Sequence, residues 1–252
     1  MDCRMPRPAL SGSPAGLHEA QALWWRRELT AASLRCDERR WTLWTAWVAL
    51  AFAIPGALLL YLEPLTAPAA VICFAHAWFI PWLQARRGAD QIAPLGGRGR
   101  SGDSRAQQIA LGLLGDLVGH RERALVGTTG LVLERGRLGV WLLGERGALL
   151  VRPGGRRVDC WCVRVADGSD LPPADRAAHL LLGLREDELG FGKVANLSFS
   201  GACWRIRRRL PPGARRALDA ARQAERPERL GSRRSVAVSS AASTASPAAR
   251  QA

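Results

Sequence analysis

Residues 41–62 read WTLWTAWVALAFAIPGALLLYL, 22 positions without Asp, Glu, Lys or Arg. At about 1.5 Å per residue, a helix of this length crosses a hydrocarbon layer of about 30 Å. Trp41, Trp44 and Tyr61 stand near its ends, where amphipathic rings favour the headgroup region. Pro55 and Gly56 predict a kink in its second half. The competing reading, a core helix of a soluble domain, is disfavoured because uncharged runs this long rarely occur there.

Outward from this stretch, APAAVICFAHAWFIPWL at 67–83 is a second uncharged run, and a second span over 67–85 is expected. The connection Glu63-Pro64-Leu65-Thr66 holds no Lys or Arg, whereas Arg35, Arg39 and Arg40 precede the first span and Arg86 and Arg87 follow the second. The positive-inside rule then places the turn outside and both termini in the cytoplasm of a cell (inner) membrane. His76 lies near the middle of the second span. Intramembrane ionisable groups are functional candidates, but a lone imidazole without an acidic partner reads better as neutral and bonded to an oxygen of the first helix.

Residues 1–40 read as an N-terminal cytoplasmic juxtamembrane segment, helical over 15–40. Leu17, Ala20, Trp24, Ala31 and Leu34 approximate one face, and Trp24-Trp25-Arg26-Arg27 suits either a helix lying on the inner leaflet or an extension of the first span. No apolar h-region precedes residue 41, so no cleaved leader is expected. Beyond the spans, 86–104 reads as a flexible linker rich in Gly, Pro and Ser. Its glycines at 96–102 lack the Lys-Ser/Thr ending and the preceding strand of a phosphate loop.

Residues 105–228 carry the remaining periodic pattern, and the expected fold class is α+β, a mainly antiparallel sheet with about three helices. One helix is predicted over 105–125, with Ile109, Leu113, Leu117 and Ala124 as the apolar stripe and Ala110 and Leu114 beside it. Apolar runs at 131–133, 138–143, 148–151 and 158–165, separated by glycine-bearing turns, read as a meander. In the last, Val158, Cys160 and Cys162 alternate with Asp159, Trp161 and Val163. A helix follows Pro172-Pro173, burying Ala177, Leu180, Leu181 and Leu184 and ending in a solvated Glu186-Asp187-Glu188 cluster. Two strands at 193–199 and 202–209, turning at Ser200-Gly201, and a helix at 212–224 complete the domain. The tail 229–252, rich in Ser, Ala and Arg, reads as disordered.

The formal net charge of +14 is spread along the chain, and Lys193 is the only lysine. An Arg-, Ala-, Gly- and Pro-rich usage is the habit of GC-rich bacterial genomes, so the charge alone does not argue for nucleic acid, although anionic lipid would favour it. Cys3, Cys36, Cys73, Cys160, Cys162 and Cys203 show no disulfide framework and are expected as cytoplasmic thiols.

Three constellations bear on function. Cys160 and Cys162 share a strand face and could join Cys203, His179 or His120 around a metal, but the spacing lacks the gap and second pair of a structural zinc site, and no cofactor is expected. Ser198 and Ser200 do not form a nucleophile elbow. Trp204-Arg205-Ile206-Arg207-Arg208-Arg209, read as a strand, puts Arg205, Arg207 and Arg209 on one side. That row suits anionic lipid headgroups; without stacking aromatics on the same side it suits nucleic acid poorly. The sequence thus leads to a membrane-anchored binding domain without a catalytic set, its partners the lipid bilayer and an unidentified protein. A metal site or enzyme built on Cys160, Cys162, Cys203 and His179 is the alternative, with anionic-ligand or nucleic-acid binding through Arg205–Arg209 the second.

Overall fold

The computed structural model describes residues 17–95, 104–163 and 171–225. A short helix α1 (His18–Ala22) precedes two long helices, α2 (Ala31–Leu62) and α3 (Ala67–Asp90), joined by a 3-10 turn at Pro64–Thr66. Then come α4 (Ser104–Leu117), α5 (His120–Thr129), β1 (Val132–Arg135), β2 (Val140–Leu143), β3 (Gly147–Val151) and β4 (Arg157–Cys162). The chain continues through α6 (Pro173–Glu186), α7 (Glu188–Val194), β5 (Asn196–Ala202), α8 (Cys203–Arg207) and α9 (Pro212–Ala224). The strands form one antiparallel sheet in the order β1-β2-β3-β4-β5. The fold is α+β, with two long apolar helices.

α2 starts at Ala31 rather than at the apolar boundary because Thr30 caps it. Thr30 Oγ1 accepts from the Ser33 N–H at 3.1 Å, and Ser33 Oγ accepts from the Thr30 N–H at 2.9 Å, satisfying two donors reciprocally. A single juxtamembrane helix over 15–40 does not form: α1 ends at Ala22, and residues 31–40 belong to α2. Arg26 fixes the intervening stretch on the C-terminal end of α7. Its guanidinium donates to the carbonyls of Lys193, Val194 and Ala195 and to Asn196 Oδ1, where a cation complements the helix dipole. α2 runs through Pro55 as continuous helix.

α3 likewise outlasts its apolar run. The stretch expected as linker is packed as far as residue 95. Ala85, Ala89 and Ile92 are buried, the Leu95 N–H donates to the Gly130 carbonyl at 2.7 Å, and the Glu145 N–H donates to the Ala93 carbonyl at 3.0 Å. Apolar side chains with a core to enter override the Gly/Pro composition. The remainder of that stretch, 96–103, lies outside the described residues, as do 1–16, 164–170 and the tail from 226 onward.

The single helix expected over 105–125 is two, broken where Gly119 is extended (φ −67°, ψ 163°). Its register also differs. Ala110, Leu114 and Val118 are buried, while Ile109 and Leu113 are each 58% exposed. α5 ends on Gly130 at φ 67°, a left-handed position suited to glycine. The two strands expected at 193–199 and 202–209 are one strand and one helix. Ser200 and Gly201 do not turn; they pair with Asp159 and Val158. Beyond them Cys203, Ile206 and Leu210 are buried at helical spacing.

Both faces of the sheet are covered. On one, Val132, Trp141, Leu143, Ala148, Leu150 and Trp161 pack with residues of α4, α6 and α7. On the other, Val140, Leu142, Leu149, Val158, Cys160 and Phe199 pack with α8, α9 and the end of α3. Two-sided burial is why β2 and β3 read as continuous apolar runs rather than alternating ones. The Trp141 and Trp161 rings lie 5.1 Å apart, and truncating either to Ala would cost roughly 3–5 kcal/mol.

The outer lengths of α2 and α3 contrast with this. Their most apolar 18-residue windows are each only 6% buried, and both helices are long and apolar enough to cross a membrane. They touch each other closely at Gly56, where a Cβ would stand 3.0 Å from Cys73 Cβ, a small-residue contact of the kind that lets helices approach.

The seam between the hairpin and the sheet is set at Gly88, where a Cβ would lie 2.5 Å from Phe199 Cβ. Gly88→Val is expected to destabilise the protein by about 1–3 kcal/mol through overpacking. Gly127→Ala, in open space on α5, should be neutral or stabilising by up to about 1 kcal/mol. Thermal unfolding of both variants in detergent checks the pair; equal melting temperatures would contradict the tight seam.

Candidate functional site

Two charged clusters lie where the helical hairpin meets the sheet, and the first centres on Arg152. This residue follows β3 directly, so the β3–β4 turn brings it beside Asp159. Arg152 Nε donates to Asp159 Oδ2 at 2.5 Å and Nη2 donates to Asp159 Oδ1 at 2.8 Å. Nη2 also reaches Ser200 Oγ on β5 at 3.3 Å. The same guanidinium crosses to α2, where Nη1 donates to Glu38 Oε2 and Nη2 to the Leu34 carbonyl, both at 2.8 Å. Arg157 Nε holds the other Glu38 oxygen at 3.1 Å. Asp159 is fully buried and Arg152 nearly so.

Burial alone would push the Arg152 pKa down; the hydrogen bonds and charges of Asp159 and Glu38 outweigh it, and the net direction is up. Burial pushes the Asp159 carboxyl upward against the pull of Arg152 and Ser200. With the guanidinium donors divided between sheet and helix, the cluster acts as a joint. Ser200 Oγ accepts from Arg152 while its hydroxyl donates to Asp159.

A second buried carboxylate closes the β1–β2 turn, at the same end of the strands as Arg152. Glu188 accepts from the Arg137 N–H at 2.6 Å, the Leu138 N–H at 3.1 Å and Trp141 Nε1 at 2.6 Å. The cluster expected as solvated is therefore partly structural. Glu188 is buried, and Asp187 caps α7 by accepting from the Gly190 N–H at 2.8 Å. A Cβ on Gly136 would collide with Glu188 Oε1, which explains the glycine there.

The proposed metal ligands are spread over two layers. Cys160 and Cys203 are buried in the core beneath α8 and α9. Cys162 is half-buried at the end of β4. His179 is exposed on α6, whose buried side packs on the opposite face of the sheet. Burial raises the pKa of the Cys160 and Cys203 thiols, keeping them protonated and poor ligands. Among the described residues no three His, Cys, Asp or Glu side chains are placed to hold a metal ion. His76 Nδ1 lies 2.8 Å from the carbonyl of Ile72 on its own helix, and its ring stacks on Phe52 at 5.4 Å. The expected oxygen partner thus comes from α3 rather than from α2.

The row Arg205, Arg207, Arg209 does not exist as a strand face, because α8 is a helix. Arg207 turns to α9 and pairs with Asp219 through Nε at 3.0 Å and Nη2 at 2.8 Å, an interaction that holds the Asp219 pKa down. Arg205 and Arg209 turn instead to α3. Arg205 Nη2 donates to the Pro81 carbonyl at 2.8 Å, and the Arg209 guanidinium lies 5.7 Å from the Trp82 ring. These residues form the second cluster.

No family model, curated protein or solved structure matches the chain. Of Arg152, Asp159, Glu38 and Ser200, which matter most here, the sequence pattern points only to Ser200, as a nucleophile candidate, and to Asp159, as an alternating strand residue; nothing local marks Glu38 or joins the four. The available signal was local: Arg152 and Asp159 are charges directly bordering or interrupting apolar strands.

Arg152→Met leaves Asp159 buried without its partner and should cost about 3–5 kcal/mol, read as a lower detergent melting temperature. Asp37, beside this joint on α2, has its pKa raised above the ordinary 3.8 by burial, with Asp159 adding and Arg27, Arg40 and Arg152 opposing. A carboxyl raised on folding stabilises the fold below its unfolded pKa and loses that contribution as pH rises through the folded value. Asp37→Asn should therefore be more stable than wild type at neutral pH, the gap closing as pH falls to roughly 4. A gap that widens on acidification would contradict the assignment.

Proposed function

We propose that the chain is a two-span membrane protein that holds its α+β domain in a fixed orientation against the inner leaflet, as a platform for binding a protein. In this reading residues 41–62 and 67–85 cross the bilayer, the Glu63–Thr66 turn faces outward, and the domain and both termini are cytoplasmic. The observation that carries it is the continuity of hairpin and domain. The inner ends of α2 and α3 belong to the sheet's own cores through Leu34, Trp41, Ala85, Ala89 and Ile92. The outer lengths expose Trp44, Trp47, Leu50, Ile54, Val71, Ile72 and Trp78, residues that need an apolar surrounding. Arg35, Arg39, Arg40, Arg86 and Arg87 mark the inner side.

A protein partner is supported by the helical layer of α4 and α6. Ile109, Leu113 and Leu182 stand exposed there, away from the apolar hairpin. A domain joined rigidly to its anchor meets a partner at a set distance from the bilayer, as a flexible tether would not.

The full chain should remain in membranes after alkaline carbonate washing. A cysteine at Leu65, 86% exposed at the hairpin turn, should react with an impermeant maleimide on intact cells. A carboxyl-terminal reporter should be active only in the cytoplasm. Extraction by carbonate, or an external reporter, would overturn the topology. Crosslinking from native membranes should capture a protein with wild type and lose it with Ile109→Ser/Leu113→Ser; equal capture would remove α4 as the binding face.

A further inference from the structure

We propose that Arg86, Arg205, Arg208 and Arg209 form a shelf for the phosphates of anionic phospholipids at the inner end of the second apolar helix. This rests on the two-span reading and deepens it by naming a lipid class and the side chains that take it. It also replaces Arg207, which is paired with Asp219, by two arginines outside the original row.

On α3, Trp78, Trp82 and Arg86 follow one another at intervals of one turn and so share a side. The Trp78 and Trp82 rings stack at 6.1 Å, and the Arg86 guanidinium lies 5.3 Å from the Trp82 ring. This ladder passes from an exposed indole to a cation where the uncharged run ends, the order found across a membrane interface. α8 meets the ladder from the side. Arg205 donates to the Pro81 carbonyl, and Arg209 stands within cation–π reach of the same Trp82 indole. Trp204 is 57% exposed on α8 and carries Arg208 4.9 Å from its ring.

Among the described residues no carboxylate lies within ion-pair distance of these four arginines, whereas Arg152, Arg157, Arg176, Arg185 and Arg207 all have one. Arg209 Nε is buried without a hydrogen-bond partner. Burial lowers the pKa of Arg205, with Arg209 adding; burial also lowers that of Arg209, with Arg208 adding. The cluster is thus a set of crowded cations without a counter-charge among the described residues. Guanidinium forks match phosphate oxygens in pairs.

The neighbouring surface decides the source. The exposed Trp78 indole and the apolar length of α3 continue along the helix from Arg86, and the exposed Trp204 indole lies against Arg208. A phosphate bound here with acyl chains attached lays them on that apolar side; a free phosphate leaves it bare.

Full-length protein reconstituted in nanodiscs of mixed phosphatidylglycerol and phosphatidylcholine, then purified in detergent, tests this by the retained lipid, counted by native mass spectrometry. Wild type should retain phosphatidylglycerol preferentially. Arg205→Gln/Arg209→Gln should reduce that preference on the order of tenfold, and Arg205→Lys/Arg209→Lys, which keeps the charge without the fork, should restore only part of it. Arg207→Gln and the exposed Arg216→Gln should leave it unchanged. Should the buried-side variant not fold, Arg86→Gln/Arg208→Gln, both exposed, should still lower it several-fold. Equal retention of both lipids by a wild-type chain that resists carbonate would overturn the shelf and leave the two-span reading standing. Displacement of the lipid by millimolar glycerol phosphate would assign the site to soluble phosphate and overturn the lipid assignment. A chain extracted by carbonate would fail at the earlier step.

Discussion

The Arg152 guanidinium is bonded at once to Asp159 on β4, Ser200 on β5 and the Glu38 side chain and Leu34 carbonyl of α2. A buried cation is tolerated only when its donors are matched, and here the matching groups come from two otherwise separate parts of the chain. The sheet therefore cannot keep its charge satisfied unless the hairpin occupies its place. Gly88 against Phe199 and Ile92 in the second core complete the same contact by packing. Domain and hairpin become one body through this seam rather than through covalent proximity.

That constraint explains the placement of the remaining pieces. With α3 set against Phe199, α8 leaves β5 directly alongside it, and Arg205 and Arg209 face Pro81 and Trp82. Arg152 is matched inside the fold, whereas Arg86, Arg205, Arg208 and Arg209 gather beside Trp82, Pro81 and Trp204 without an ion pair among the described residues. The proposed lipid shelf is built on that second group. The proposed protein-binding layer lies elsewhere, on α4 and α6, because those helices cover the sheet face remote from α8 and α9.

The thiols and imidazoles show how local pattern misleads. Cys160 and Cys162 are two residues apart on β4, yet Cys160 enters a core while Cys162 lies half-buried at the strand end. Arg205, Arg207 and Arg209 alternate as strand residues do, but Cys203, Ile206 and Leu210 share one side of a helix, and burial of those three decides the backbone. Where apolar and polar residues support different periods, the apolar period prevails because it removes surface from water.

The sequence by itself determined the two long apolar helices, the four-strand meander, the helix after Pro172 and the last helix. Each is written in uncharged length, turn glycines or apolar spacing over a single continuous stretch. It left open the ends of α2 and α3, the break at Gly119 and the helix at 203–207, where capping or burial against distant residues overrides local composition. Only the tertiary structure decided that the hairpin and the sheet share a core. Arg152 reaches Glu38 across more than a hundred residues, and Arg205 reaches Pro81 over a comparable separation. No periodicity encodes a contact of that range, because its energy comes from two surfaces whose meeting depends on the whole chain having folded.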